Sequence, residues 1–158
     1  MAKSDFHFHT SIRVRWSECD AQGIVFYGSY LVFLEVALSE YFRNLGFRLY
    51  GEQQRRYFDT ATVKLTLEYK APARIDDMLD VYARIVTVGN TSFTMENEIY
   101  RQGSSELLTW AEAVYVDYDS EKSEARPVPD DIRQLTSHFE KTGGVLPIED
   151  FPKLASMR

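Results

Sequence analysis

The stretch from Tyr30 to Leu45 limits the possible folds more than any other part of the chain. It holds no glycine or proline, and Leu31, Leu34, Leu38, Tyr41, Phe42 and Leu45 recur at helical spacing. Ser29 stands where a helix N-cap is expected, and Gly46 where a C-terminal glycine cap belongs. Val32, Phe33, Val36 and Ala37 widen the apolar surface beyond one stripe, which predicts a helix enclosed on most sides. At 1.5 Å per residue it is about 24 Å long, enough to cross a small domain.

The remaining periodic segments have the alternation of strands. From Phe8 to Trp16, Ile12, Val14 and Trp16 share one face, with Arg13 and Arg15 on the other. Val63, Leu65, Leu67 and Tyr69 alternate with Thr62, Lys64, Thr66 and Glu68. A turn over Ala71–Asp77, broken by Pro72, leads to strand candidates Met78–Val88, Ser92–Arg101 and Leu107–Tyr118. The short turns between these, Gly89-Asn90 and Gln102–Ser105, read as antiparallel hairpins. Gly46–Asp59 reads as a connector, and Ile132, Leu135 and Phe139 predict a short second helix after Pro129. Thr142–Arg158 reads as an irregular tail. One strand, one long helix and then grouped strands predict an α+β fold, with the helix on the concave face of a curved antiparallel sheet. A length of 158 residues suits one domain over 1–158, with a core at about 9–141.

Charge and composition exclude several functions. A net charge of -6 disfavours duplex nucleic acid, whose phosphates need a basic face. Cys19 is the only cysteine, so no internal disulfide forms, and packing alone suits a reducing, cytoplasmic setting. The opening MAKSDFHFHT lacks the apolar run of a signal peptide, and no apolar run reaches the roughly 18 residues of a membrane span.

Asp20 follows a strand in a glycine-containing loop just ahead of the helix. Backbone N–H groups and the helix dipole there favour negative charge and a developing oxyanion. From spacing alone, Asp20 is more simply a loop-capping residue. Cys19 lacks a nearby histidine base, and a lone cysteine is more often a small buried hydrophobe. His7 and His9 alternate on one strand face without a third ligand, and His138 falls on the exposed side of the second helix. Glu35 and Glu40 on the long helix read equally as a general base or as exposed or paired carboxylates. There is no G-x-S-x-G, P-loop or zinc spacing.

The run Ser17-Glu18-Cys19-Asp20-Ala21-Gln22-Gly23-Ile24-Val25-Phe26-Tyr27-Gly28-Ser29-Tyr30 resembles the signature of the 4-hydroxybenzoyl-CoA thioesterase family, in its catalytic-aspartate branch. Tyr41-Phe42 matches the end of that family's helix, Glu68–Leu79 its strand-to-turn segment, and Arg126-Pro127-Val128-Pro129 the approach to its last helix. The likeness covers roughly residues 9–141. It implies a hot-dog fold, pairing into dimers and often dimers of dimers, and an active site built across a subunit interface. It implies that Asp20 is the catalytic nucleophile or general base, that Tyr27 N–H holds the thioester carbonyl, and that Gly28 shares that substrate-binding step into the helix. Thr60 aligns with a threonine near the acyl pocket, supplied by a partner subunit. The substrate implied is an aromatic or short-chain acyl-CoA, 4-hydroxybenzoyl-CoA being the type. No cofactor or metal is implied, coenzyme A being part of the substrate. Two features depart from the pattern. Tyr27 replaces the histidine of many bacterial relatives. The turn Gly89-Asn90-Thr91 lacks the basic cluster with which the aryl-CoA enzyme meets the CoA phosphates, a role left to Lys70, Arg74, Lys122 or Arg126. The alternatives are a hydratase or dehydratase on the same fold, disfavoured because no histidine lies between His9 and His138, and a non-catalytic acyl-CoA-binding protein.

Overall fold

The long helix, α1 (Tyr30–Leu45), forms where the periodicity places it. Its buried residues, Tyr30, Phe33, Leu34, Ala37, Leu38, Tyr41, Phe42 and Leu45, step by three and one along the chain, the spacing of one helix face. Gly46 ends the helix at φ 115°, its N–H donating to the carbonyls of Arg43 and Phe42. The computed structural model describes residues 3–156, and the side chains of all of these except 53 and 54.

The remaining elements are β1 (Phe8–Arg13), α2 (Glu52–Tyr57), β2 (Thr60–Tyr69), β3 (Met78–Val88), β4 (Ser92–Arg101), β5 (Leu107–Asp119), β6 (Glu124–Arg126), α3 (Asp130–Thr142) and α4 (Pro152–Ala155). All strand pairs are antiparallel. The sheet runs β1-β3-β4-β5-β2, with β6 a short addition to β5. This is the expected α+β hot-dog fold, the sheet wrapped around α1. Register breaks at Thr62/Lys64, Ile85/Thr87 and Ile99/Tyr100 help the sheet curve.

Aromatic residues fill the space between helix and sheet. Phe42 meets Phe58 at 5.5 Å and Phe93 at 5.9 Å between ring centroids, and Phe93 stacks on Tyr115 at 5.2 Å. Burying a side chain of this size stabilises the fold by about 1.5–3 kcal/mol. Tyr41, at the centre of the helix face, donates its hydroxyl to Glu140 of α3, which also accepts Ile85 N–H at 2.9 Å. One carboxylate thereby ties α1, α3 and β3 together.

Five local expectations change. Ser29 does not cap α1: its backbone is already helical, and its Oγ donates instead to Glu18 O at 3.0 Å. The chain enters α1 through a 3-10 turn, Tyr27–Ser29. The 46–59 connector contains α2. In β2, Val63 sits at the Thr62/Lys64 register break and is 59% exposed, out of step with half-buried Leu65 and Leu67. The tail carries a 3-10 turn, Ile148–Asp150, and α4, with Phe151 and Leu154 buried in the core. Nor is α1 covered all round, since Leu31 and Val32 are exposed on its outer side.

Candidate active site

Asp20 is held by main-chain geometry. Its N–H donates to Ile24 O at 2.9 Å, and Gly23 N–H returns to Asp20 O at 3.0 Å. Gly23 takes φ 77°, which a residue without Cβ adopts at little cost. One carboxylate oxygen, Oδ1, accepts Gln22 N–H at 2.8 Å, fixing the side chain in an Asx turn. The other oxygen has no partner among the described residues.

The loop is stitched on both sides. Val25 N–H donates to Ala73 O at 2.9 Å, and Ile24 bridges to Arg74, so the 71–77 turn becomes its outer support. On the inner side Glu18 O accepts both Phe26 N–H at 2.8 Å and Ser29 Oγ. Glu18, 5% exposed, is itself anchored by Arg15, whose N–H and guanidinium each reach the carboxylate at 2.7 Å. Burial pushes the Glu18 carboxyl up, but Arg15's hydrogen bonds and charge together hold it below its usual value.

Asp20 stands between two clefts and, among the described residues, is the one common to their walls. The first, of about 540 Å³, is lined by Trp16, Cys19, Asp20, Ala21, Gly23 and Ile75. The second, of about 390 Å³, brings in Tyr27, Tyr30, Tyr69, Lys70 and Pro72. Tyr69 Oη donates to Tyr27 O at 2.9 Å, fixing the Tyr27 peptide from outside. Tyr27 N–H, at the start of the 3-10 turn, donates to no backbone carbonyl among the described residues. Burial, then Ala73 N–H against it, leave the Tyr30 phenol above its ordinary value.

Asp20 and Tyr27 thus share a cleft. Gly28 does not line it: a Cβ there would lie 2.9 Å from the Phe26 ring, so Gly28 admits that ring against the turn. Thr60 lines a different cavity of about 270 Å³, between α1 and edge strand β2, with Leu34, Glu35, Leu38, Tyr50 and Tyr115. Glu40 pairs with Arg43 on the helix surface. Cys19 is poorly suited to attack, since burial and then the charge of Asp20 raise its thiol. His7 packs edge-on to Phe139, and His9 lies against Tyr82. Among the basic candidates Lys70 lines the second cleft, paired with Glu68 at 3.1 Å. Arg126 is committed to Asp117 at 2.9 Å and to the carbonyls of Arg55 and Arg56. Sequence reasoning missed Trp16 and Tyr69 as cleft walls and Glu18 as the loop's anchor. The Arg15–Glu18 spacing of three was the available signal for the last.

The family model described as "Thioesterase superfamily" matches residues 22–108, more than half of the chain. The chain belongs to the thioesterase superfamily. The match begins within the Asp20 turn, two residues after Asp20 itself, and runs through α1 into β5. Among curated thioesterase relatives, the acyl-CoA thioester hydrolase YbgC of Escherichia coli (strain CFT073) is 34% identical over 125 residues, covering 79% of this chain and 92% of its own. A predicted thioesterase from Bacillus stearothermophilus superposes at TM-score 0.69 with 27% identity, covering 83% of this chain and 94% of that one. The 1,4-dihydroxy-2-naphthoyl-CoA thioesterase Slr0204 of Synechocystis shares the fold at TM-score 0.73 and 21% identity, with 80% and 93% coverage.

Proposed function

We propose that the protein hydrolyses an acyl-CoA, aromatic or short-chain, to a carboxylic acid and coenzyme A, with Asp20 as the catalytic carboxylate. The observation that carries this reading is the Asx-turned Asp20, one oxygen pinned by Gln22 N–H and the other unpartnered between two clefts at the entry to α1. Asp20 either attacks the thioester carbon or takes a proton from the attacking water. In the first case the C–S bond breaks, the thiolate leaves, and water then opens the acyl–aspartyl anhydride. Tyr27 N–H and the positive end of α1 stabilise the oxyanion. The relationship to YbgC, an acyl-CoA thioester hydrolase, supports the reaction class.

The site functions in a homo-oligomer, a dimer of dimers. Among the described residues edge strand β2 pairs only with β5, and exposed Phe26, Tyr27, Leu31, Val32 and Val63 lie on α1, on its approach and on that edge. Contact with a second copy covers this apolar surface and brings the Thr60 cavity to the partner's Asp20. The single free cysteine suits a cytoplasmic setting. Among the described residues no helix is long and apolar enough to cross a membrane.

The test is release of CoA thiol from a panel of aryl-, short- and long-chain acyl-CoAs by wild type and Asp20→Asn. A positioned base or nucleophile contributes on the order of 10²–10⁴-fold. Asp20→Asn should therefore lower kcat by at least about a hundredfold while sedimentation stays unchanged. Near wild-type turnover in a folded Asp20→Asn protein removes Asp20 from the chemistry. No thiol release from any thioester by wild type leaves acyl-CoA binding without hydrolysis.

A further inference from the structure

The turn that enters α1 is braced from outside by one side chain. Tyr69, the last residue of β2, donates its hydroxyl to Tyr27 O at 2.9 Å, across 42 positions of the chain. The bond ties the helix entry to the end of an edge strand.

Tyr69 is aimed by what lies behind it. Its ring meets that of Tyr30 edge-on at 5.3 Å, and Tyr30, the first residue of α1, is 3% exposed. Its backbone pairs with Thr109 of β5. The Tyr30 hydroxyl in turn accepts Ala73 N–H at 3.4 Å, which joins the aromatic pair to the 71–77 turn. Packing therefore holds the Tyr69 ring, although the residue is half exposed. Burial, and then the neighbouring Tyr27, hold its phenol above the ordinary value, so it is a neutral donor at neutral pH.

The direction of Tyr27 N–H depends on three bonds. Before it, Phe26 N–H donates to Glu18 O at 2.8 Å. On its own peptide, Phe26 O accepts Ser29 N–H at 2.9 Å. After it, the carbonyl of the Tyr27–Gly28 peptide accepts Tyr69 Oη. The first two bonds are main-chain to main-chain, and the turn has no side-chain cap. The third alone is lost by changing a side chain outside the turn. It also holds the peptide that leads into Gly28, and glycine resists backbone rotation less than any other residue.

We infer that Tyr69 is a positioning residue for hydrolysis, its hydroxyl holding the Tyr27–Gly28 peptide so that Tyr27 N–H stays aimed at the developing oxyanion. This rests on the thioesterase reading and adds to it a residue that acts through the turn. A donor contributes most when it needs no reorganisation at the moment of reaction. Tyr69 lines the cleft it shares with Asp20 and Tyr27, so a substrate seated there covers the bond and excludes the water that would replace it.

Tyr69→Phe keeps the ring and removes the hydroxyl. With an acyl-CoA that wild type hydrolyses, kcat should fall by about two- to tenfold, the equivalent of one net hydrogen bond, with little change in KM. Sedimentation and the urea midpoint should stay unchanged, and 3-fluorotyrosine at position 69, which restores ring and donor, should return kcat to that of wild type. Hydrogen exchange reads the turn without turnover. Ser29 N–H should exchange about two- to tenfold faster in Tyr69→Phe, with the amides of β4 unchanged. Wild-type kcat in Tyr69→Phe overturns the inference, as does a loss that 3-fluorotyrosine fails to restore. A loss confined to KM makes the hydroxyl a substrate contact and overturns it too. Unchanged Ser29 exchange overturns it whatever the turnover. Faster Ser29 exchange in the variant, when wild type releases no thiol from any thioester, keeps Tyr69 as the brace of the turn and removes the hydrolysis instead.

Discussion

Replacing Glu18 by Gln tests how the Asp20 loop is held. The carboxylate is buried and accepts Arg15 N–H and the Arg15 guanidinium, each at 2.7 Å. Gln preserves size and one acceptor, and can keep the bond from Arg15 N–H, but removes the charge that the guanidinium meets. Hydrogen bonds to charged groups contribute about 1.5–3 kcal/mol, and a buried group left unpaired costs about 1–3 kcal/mol. The Arg15 side chain is mostly exposed, so water can replace what it loses, which places the expected loss at the low end, about 1–2 kcal/mol. The sign with pH follows from the lowered carboxyl. Its stabilisation is present above the unfolded value of about 4.3 and is lost as pH falls through the lower folded value. Urea denaturation at fixed protomer concentration should therefore show the variant less stable at neutral pH, with the gap closing well below about pH 4. Since Glu18 O also receives Phe26 N–H and Ser29 Oγ, kcat should fall with little change in oligomer state. Equal stability at neutral pH, or a gap that persists unchanged into acid, refutes the assignment of Glu18 as the charged anchor.

Three further outcomes follow from the packing. Gly46→Ala forces a Cβ onto a left-handed residue at φ 115° and to 2.9 Å from Ile148 Cβ, costing about 2–4 kcal/mol in denaturant unfolding; adding Ile148→Ala should return part of it, and no recovery argues against the steric half. The Glu140 carboxyl is raised, chiefly by burial and partly offset by Tyr41, so wild type loses stability as pH rises from about 4.3 through its folded value. Glu140→Gln should gain on wild type over that rise, and a stability gap independent of pH counts against it. Leu154→Ala should cost about 2–5 kcal/mol in thermal or urea unfolding if α4 is docked as described, and a loss under about 0.5 kcal/mol contradicts it.

The helix and hairpins were legible because each carries its own period and stop signals. Tyr30–Leu45 lacks breakers and ends at a glycine, and the strands are separated by short turns. What escaped depends on partners distant in sequence. Ser29 reads as a cap until Glu18 O is placed eleven residues earlier within reach of its hydroxyl. Val63 alternates correctly on paper, but a register break lets it leave the core. The apolar residues of the tail follow no helical or strand period, and only the fold shows Ile148 packed beside Gly46 and Phe151 and Leu154 docked in the core. At the site, Asp20 was visible through resemblance more than spacing. The exposed place of Trp16 on a cleft wall was hidden because strand alternation put it with Ile12 and Val14, while the chain leaves β1 at Arg13.

The hydrogen bonds that position Asp20 are mostly main-chain: Asp20 N–H to Ile24 O, Gly23 N–H to Asp20 O, Val25 N–H to Ala73 O and Phe26 N–H to Glu18 O. Side chains at 16, 21, 24, 27, 69 and 75 form the cleft walls but take no part in those bonds, Tyr69 Oη to Tyr27 O aside. Placement of the Asp20 carboxylate and shape of the surroundings are therefore separately heritable. Drift or selection can exchange an indole for a smaller wall, or a phenol for an imidazole, and reshape what the clefts admit while the carboxylate stays where it is. A scaffold wired in this way invites divergence in substrate ahead of divergence in chemistry.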